Sequence, residues 1–437
     1  MCGGISRFEW WIFSRSTVYY RAMFRRNLAP ALEAALTDTP VVLVSGARQT
    51  GKSTLVQSMV AGNYYTFDDA GTLSSARADP QGFLAALPRP AILDEVQLVP
   101  ELFRAIKFEV DRDRRPGSFV LTGSANIMAL PSLSESLAGR MELLTLWPLS
   151  QGELSSMREG FIDALFEAPP PVLGPSRTGQ QELISRVLEG GFPEVVQRSN
   201  AARTRAWFRS YTTTVLQRHV QDIANIDALA ELPRILSLVA AQATGLSNVA
   251  RLARDVDIPP TSMKRYLALL QAAYVVQALP GWSQRLGQRL MKTERLTLLD
   301  SGVLAFLQNV TAQRLISERQ LLGAILETFV EMELRKQLGW SETLATLYYL
   351  RTHSGIEVDL VIEASDGRLA GIEVRAAARA DKRDFRGLEF MREQFGDRFV
   401  RGILVYTGEQ TLPFGDRLWA MPVDALWRWG AAPSAVR

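Results

Sequence analysis

A chain of 437 residues with 47% apolar and 22% charged side chains can hold several domains that each bury a core, and it is too apolar for a disordered polymer. A single cysteine excludes an internal disulfide framework and suits a reducing cytoplasm, and two histidines leave little material for a zinc site. The net charge is only +3, but the 49 basic residues are overwhelmingly arginine, which suits phosphate contacts and equally fits a GC-rich genome.

No apolar run is long enough to span a membrane, so no membrane partner is expected. Residues 1–18 read as a loosely attached extension: Phe8-Glu9-Trp10-Trp11-Ile12-Phe13 is short and lacks a signal peptide's cleavage pattern. Helical spacing over Tyr19–Leu36 leads into Val41–Ser45, a β-branched run that predicts a buried strand. Gly46-Ala47-Arg48-Gln49-Thr50-Gly51-Lys52-Ser53 then matches the phosphate-cradling pattern G-x-x-x-x-G-K-[ST], and Thr54 onward continues as a helix. Backbone N–H groups of Gly51, Lys52 and Ser53 would face a β-phosphate at the positive helix end. Lys52 would reach the β- and γ-phosphates, and the Ser53 hydroxyl would bind Mg²⁺.

Asn63–Phe67 reads as a second strand, and Ala91-Ile92-Leu93 as a third that ends on Asp94-Glu95. There Asp94 would hold Mg²⁺ through its water shell, and Glu95 would orient and polarise the attacking water. After an amphipathic helix over Glu101–Asp113 comes the strand Ser118–Thr122. Thr122, Ser124 and Asn126 at its tip are either γ-phosphate sensors or plain turn residues. Arg140, just before the strand Glu142–Trp147, is either an arginine finger or a surface arginine. The alternation predicts an α/β fold, a doubly wound parallel sheet with ligand beyond the strand carboxyl ends, over residues 19–167.

Breakers at Ala168-Pro169-Pro170-Pro171 and Gly174-Pro175 mark a boundary. The following stretch to residue 244 is a helical lid broken by Gly190-Gly191-Phe192-Pro193-Glu194, with Arg203, Arg205, Arg209 and Arg218 studding one helix as a solvated face. Residues 245–310 resemble a winged helix-turn-helix, with helices at Asn248–Asp255 and Thr261–Ala273 and wing strands at Tyr274–Leu279 and Arg295–Leu299. If it binds DNA, Thr261, Ser262, Lys264 and Arg265 face the major groove, and Arg285, Arg289 and Lys292 meet phosphates at the wing tip; otherwise it packs on protein.

The last domain, 320–437, opens with a helix over Gly323–Leu334 that carries Glu327. Strands around Thr346–Arg351, Gly355–Glu363 and Leu369–Val374 follow, with an Asp366-Gly367 hairpin turn. Asp359 and Glu373, supported by Glu327, have the order of a metal-dependent nuclease site, but Arg375 stands where such sites use lysine. Arginine keeps its proton and its broad fork does not replace a point ammonium; Lys382 could reach back from the next helix. The bland alternative is a sheet edge kept soluble by acids.

Together these motifs resemble the prokaryotic AAA-type ATPases of the archaeal-ATPase-like group. Their C-terminal domain, of unassigned function, looks like the PD-(D/E)xK (restriction-endonuclease-like) nuclease fold. The resemblance runs through Gly46–Thr54, Ala91–Gln97, Leu121–Ser124, Ser136–Arg140, Trp147–Ser150 and Gly190–Glu194. It continues through the winged helix, Leu299–Gly302, Gly323–Glu331, Glu357–Asp359 and Ile372–Val374. It implies ATP binding, a lid with a winged helix, and Arg140 as a conceivable finger. The chain departs from the family at Arg375 and in its N-terminal extension. The expectation is a cytoplasmic Mg²⁺-dependent ATPase whose ATP state moves lid and winged helix, acting on or with nucleic acid. The alternatives are an ATP-dependent nuclease, and a switch that meets a protein partner, as in toxin–antitoxin or defence systems, without touching DNA. Oligomer formation is left open.

Overall fold

A computed structural model describes residues 24–125, 137–167, 169, 171–216, 231–284, 286–289 and 293–433. The extension over 1–18, Asn126, Arg218, Arg285 and Lys292 lie outside the described residues.

Five short strands, β1 (Val41–Ser45), β2 (Asn63–Thr66), β3 (Ala91–Asp94), β4 (Phe119–Gly123) and β5 (Met141–Thr145), form one all-parallel sheet in the order β2-β3-β4-β1-β5. Every residue of β1, β3 and β4 is buried, which explains why these runs are continuously apolar. Side chains alternate between the faces. Val41, Leu43, Phe119 and Leu121 pack with Phe103 and Ile106 on one side, while Val42, Val44, Ile92 and Val120 meet Leu28, Leu32 and Leu55 on the other. The expected parallel sheet is therefore present, with helices on both faces. Of the expected helix Tyr19–Leu36, residues 19–23 lie outside the described residues; the first described helix runs from Ala29 to Asp38 with a proline in its first turn. Pro30 cannot donate a helical hydrogen bond, so it marks a helix start rather than the interior of a Tyr19–Leu36 helix.

Beyond β6 (Met157–Arg158) lie helices Gln180–Glu189, Ala201–Thr214, Leu232–Ala241, Val249–Val256 and Pro260–Ala272, then the antiparallel pair β7 (Val276–Leu279) and β8 (Arg295–Leu298). The nineteen-residue helix Arg319–Gln337 leads into a second sheet. This mixed sheet comprises β9 (Ala345–Arg351), β10 (Glu357–Ala364), β11 (Leu369–Arg375), β12 (Phe399–Tyr406), β13 (Leu412–Gly415) and β14 (Leu418–Pro422), in the order β13-β14-β12-β11-β10-β9. The chain then returns as β15 (Ala432–Pro433) to pair with β6.

One apolar cluster joins these regions, running from Ala47 through Phe192, Leu236, Leu267 and Phe329 to Trp429. Segment 149–167 belongs to this joint as much as to the first sheet. Gln151 N donates to Glu333 Oε2 at 2.8 Å, Lys336 Nζ to the Leu149 carbonyl at 2.9 Å, and Phe161 N to Gln337 Oε1 at 3.1 Å. Among the described residues, no helix is long and apolar enough to cross a membrane.

Candidate active site

β1 delivers the loop 46–53 at the carboxyl edge of the first sheet. Gly46 has φ 150°, and a Cβ there would lie 2.2 Å from the Leu146 carbonyl oxygen, so only glycine fits. Gly51 has φ 92° and caps the helix Lys52–Met59, whose first-turn N–H groups point out of the helix end. Ala47 is fully buried, Thr50 donates its hydroxyl to the Ala47 carbonyl at 3.0 Å, and Thr54 is exposed. Gln49 bends the loop with φ 64°.

Lys52 is buried, and its Nζ donates to the Ala47 carbonyl at 2.9 Å. Burial pulls its pKa down to about 8, Arg48 pushes the same way, and Glu95 and Asp94 oppose them. The Arg48 charge is also felt by the buried Tyr211 phenol of helix Ala201–Thr214.

β3 ends on Asp94, beside the loop. Its Oδ1 accepts from Ser53 Oγ at 2.8 Å and from the Thr122 hydroxyl, and its Oδ2 accepts from the Tyr64 hydroxyl at 2.5 Å. Burial, then the bond to Asp94, push the Tyr64 phenol up to about 12. Glu95 turns into the left-handed region (φ 58°), its N–H reaches Thr122 Oγ1 at 3.3 Å, and its Oε2 accepts from Ser124 Oγ at 2.9 Å and from the Gln97 amide. A non-glycine residue in that region carries strain, of the kind that gathers at working sites. Loop 46–53, the pair 94–95 and the tip 122–124 thus meet at one sheet edge. Such an arrangement offers a cradle for phosphates, a hydroxyl and carboxylate pair for a hard cation, and a second carboxylate for a water.

Three further groups hold this edge, and none stands in a sequence pattern. The buried Arg26 guanidinium donates to the Thr50 carbonyl (2.6 Å), the Trp147 carbonyl (2.6 Å) and Glu153 Oε1 (3.1 Å). Tyr64 is the second. The third, Tyr274, donates its hydroxyl to Ser45 Oγ at 2.9 Å, and Ser45 Oγ in turn donates to the Ala125 carbonyl at 2.9 Å. Tyr274 was expected in a wing strand; instead it sits before β7 with φ 61°, its ring edge-on to Trp147 at 5.7 Å.

Arg140 is not at this edge. Its carbonyl accepts from Val41 N at the start of β1, and its guanidinium forks onto Asp111 at 2.6 and 3.1 Å. It therefore lies at the opposite end of β1 from Gly46, about 17 Å away at ~3.3 Å per strand residue, and does not reach the same chain's loop.

On the helix Pro260–Ala272, Thr261, Lys264 and Arg265 are exposed, as are Arg251 and Arg254 on the preceding helix. Arg289 corrects the expectation of a phosphate contact. Its guanidinium is largely buried against Glu363 at 2.5 and 3.0 Å, over the rings of Trp282 and Tyr348. The segment expected as a wing tip is thereby fastened to the second sheet, where Trp282 N also donates to the Tyr349 carbonyl at 2.7 Å.

In the C-terminal domain the predicted carboxylates do converge, but on arginines. Arg375 reaches Glu373 Oε2 at 2.9 Å and Asp359 Oδ2 at 3.3 Å, with Asp384 Oδ1 at 3.6 Å. Arg295, from β8, donates to Glu327 Oε1 at 3.0 Å. Burial, then the Asp359 charge, push Glu327 up to about 8 and raise Glu373 well above the usual carboxylate range. Among the described residues, no cluster of three or more His, Cys, Asp or Glu side chains is arranged to hold a metal ion. Two guanidiniums supply the positive charge that a cation would bring.

Residues 38–155 match the AAA domain family, 180–314 a domain of unknown function (DUF8612), and 322–426 another (DUF4143). Similar relatives include uncharacterized proteins of Mycobacterium tuberculosis and Mycobacterium bovis. Each is 32% identical over 408 residues, covering 92% of this chain and 84% of the relative.

Proposed function

The chain belongs to the same family as the two mycobacterial proteins and carries an AAA domain and a DUF4143 domain, and on that premise we propose a Mg²⁺-dependent ATPase. In this reading the nucleotide state is passed to the helices packed on the phosphate loop. The observation that carries the proposal is the junction of loop 46–53 with the strand-end acids, at its shortest Ser53 Oγ to Asp94 Oδ1, 2.8 Å.

The residues fit the groups they would hold. Gly46 admits no side chain, Gly51 opens the helix end, and a buried Lys52 with a depressed pKa calls for an anionic partner. Residues 46–54 would bind the triphosphate, with Arg48 adding charge beside Lys52. Mg²⁺, when bound beside Ser53 and Asp94, supplies charge against the phosphate oxygens. Ser124 and Gln97 both hold Glu95 Oε2, and we assign Oε1 to the attacking water, from which it takes the proton. Thr122 ties the two acids together through Asp94 Oδ1 and the Glu95 N–H. Nucleic acid is the partner we favour, through the exposed Arg251 and Arg254 of one helix and Thr261, Lys264 and Arg265 of the next. Nuclease chemistry is not assigned, because Arg295 and Arg375 engage the carboxylates it would need.

The test is ATP turnover with and without duplex DNA. Lys52→Ala should lose nucleotide binding, Glu95→Gln should bind without turning over, and Lys264→Ala with Arg265→Ala should lose any DNA stimulation. Equal turnover by wild type and Glu95→Gln overturns the assignment.

A further inference from the structure

Asp94 is gripped at both oxygens, and one grip comes from outside every motif. Ser53 and Thr122 donate to Oδ1, which fills both lone pairs of that atom. Tyr64 donates to Oδ2 at 2.5 Å. Tyr64 stands on β2, the outer strand of the sheet, two residues before the one in register with Asp94. Its side chain is 37% exposed, and Asn63 and Tyr64 are the most exposed residues of that strand. Core packing therefore does not explain a tyrosine here. Asp94 is only 5% exposed, so the more exposed Tyr64 gives its one polar atom to a buried carboxylate.

We propose that Tyr64 is a positioning residue for the metal site, fixing the rotation of the Asp94 carboxylate and screening it from bulk water. The proposal rests on the ATPase reading. Rotation of a carboxylate about its last bond is soft, so one saturated oxygen does not fix the plane of the group. Magnesium demands near-octahedral oxygen geometry and gives up its waters reluctantly, so the orientation of the acid facing its water shell decides how tightly it is held. A donor on Oδ2 sets that plane before the ion arrives. The adjacent Ser53 and Gln57 side chains, which both bear on the Tyr64 hydroxyl, keep the phenol itself in place.

The experiment uses the full chain and Tyr64→Phe, which keeps the ring and removes only the hydroxyl. Binding of N-methylanthraniloyl-ADP is followed by fluorescence, first in EDTA and then as Mg²⁺ is titrated in. We expect affinity in EDTA within about twofold of wild type, and the Mg²⁺ concentration that half-completes tightening raised about tenfold, the equivalent of one charge-assisted bond. The Mg²⁺ requirement of ATP turnover should move by the same factor. Affinity lowered equally in EDTA and in Mg²⁺ would make Tyr64 a structural prop and overturn the proposal, as would an unmoved Mg²⁺ midpoint. Lys52→Ala is measured alongside. If it binds the analogue as tightly as wild type, the ATPase reading fails; if it loses binding while Tyr64→Phe titrates like wild type, only the Tyr64 proposal fails.

Discussion

Replacing Arg26 by alanine isolates what holds the phosphate loop in shape. The guanidinium is 8% exposed and its partner Glu153 1%, so this is a buried ion pair whose cation also reaches two carbonyls. Breaking a buried pair from one side costs about 3–5 kcal/mol because the other charge stays behind. Glu153 keeps two donors, Asn27 N at 2.7 Å and Ser150 N at 3.0 Å, which argues for the lower end, about 3 kcal/mol. The stranded Thr50 and Trp147 carbonyls add about 1 kcal/mol each, for a total of about 5 kcal/mol. Thr50 lies inside the loop, so part of that loss should surface as nucleotide affinity: at least about tenfold weaker ADP binding, with a lower midpoint of thermal unfolding. Arg26→Lys keeps the charge but cannot serve three acceptors, and should fall between. Calorimetric ADP titration beside thermal melts reads both effects. A folded Arg26→Ala protein with wild-type ADP affinity would refute the claim that this clamp shapes the loop.

Three further expectations follow from the charges and contacts. Lys52 titrates near 8 in the free protein, and phosphate binding requires its cationic form, so ADP affinity should fall by up to about tenfold per pH unit above 8, a slope of one proton. The same depressed pKa means folding stability gains from Lys52 as pH rises from about 8 toward 10.5, since the unfolded chain then holds the extra proton; a flat affinity profile over that window would contradict the burial. Tyr274→Phe keeps the ring on Trp147 but removes the donor to Ser45, and should cost about 1 kcal/mol in stability and slow turnover while leaving ADP affinity unchanged; wild-type turnover would exclude this contact from the coupling. Arg375→Ala leaves Glu373 without its guanidinium. Glu327 and Glu373 have raised pKa values, so the carboxyls are more readily accommodated when protonated. The melting deficit should therefore be largest at pH 8 and shrink toward pH 6; a deficit that grows on acidification would overturn this account.

What could be read in the sequence was what the backbone and a single strand end demand locally. Gly46 and Gly51 are dictated by φ values and a carbonyl at contact distance, so pattern and structure coincide there. Asp94 and Glu95 follow from a buried strand that must end on polar residues. Arg26, Tyr64 and Tyr274 work through partners 24 to 229 positions away, and no local periodicity signals such a partner. For Gln97 a faint cue existed, two residues past Glu95 on the same turn. Spacing leaves Arg140 open between finger and surface arginine and does not foresee the burial of Arg289, because an arginine's role depends on which carboxylate lies opposite, here Asp111 and Glu363. The described helix begins at Ala29 because Pro30 fits only a first turn, a start that apolar spacing alone does not mark.

The apolar cluster that runs from Ala47 to Trp429 has a practical meaning. It crosses the boundary at residue 167, where Ala47, Phe161, Ile162, Leu165 and Phe166 share one interior with Leu183, Phe192 and Phe329. A fragment cut at residue 167 or 318 would bare apolar side chains that this cluster covers, so each piece should melt below the full chain.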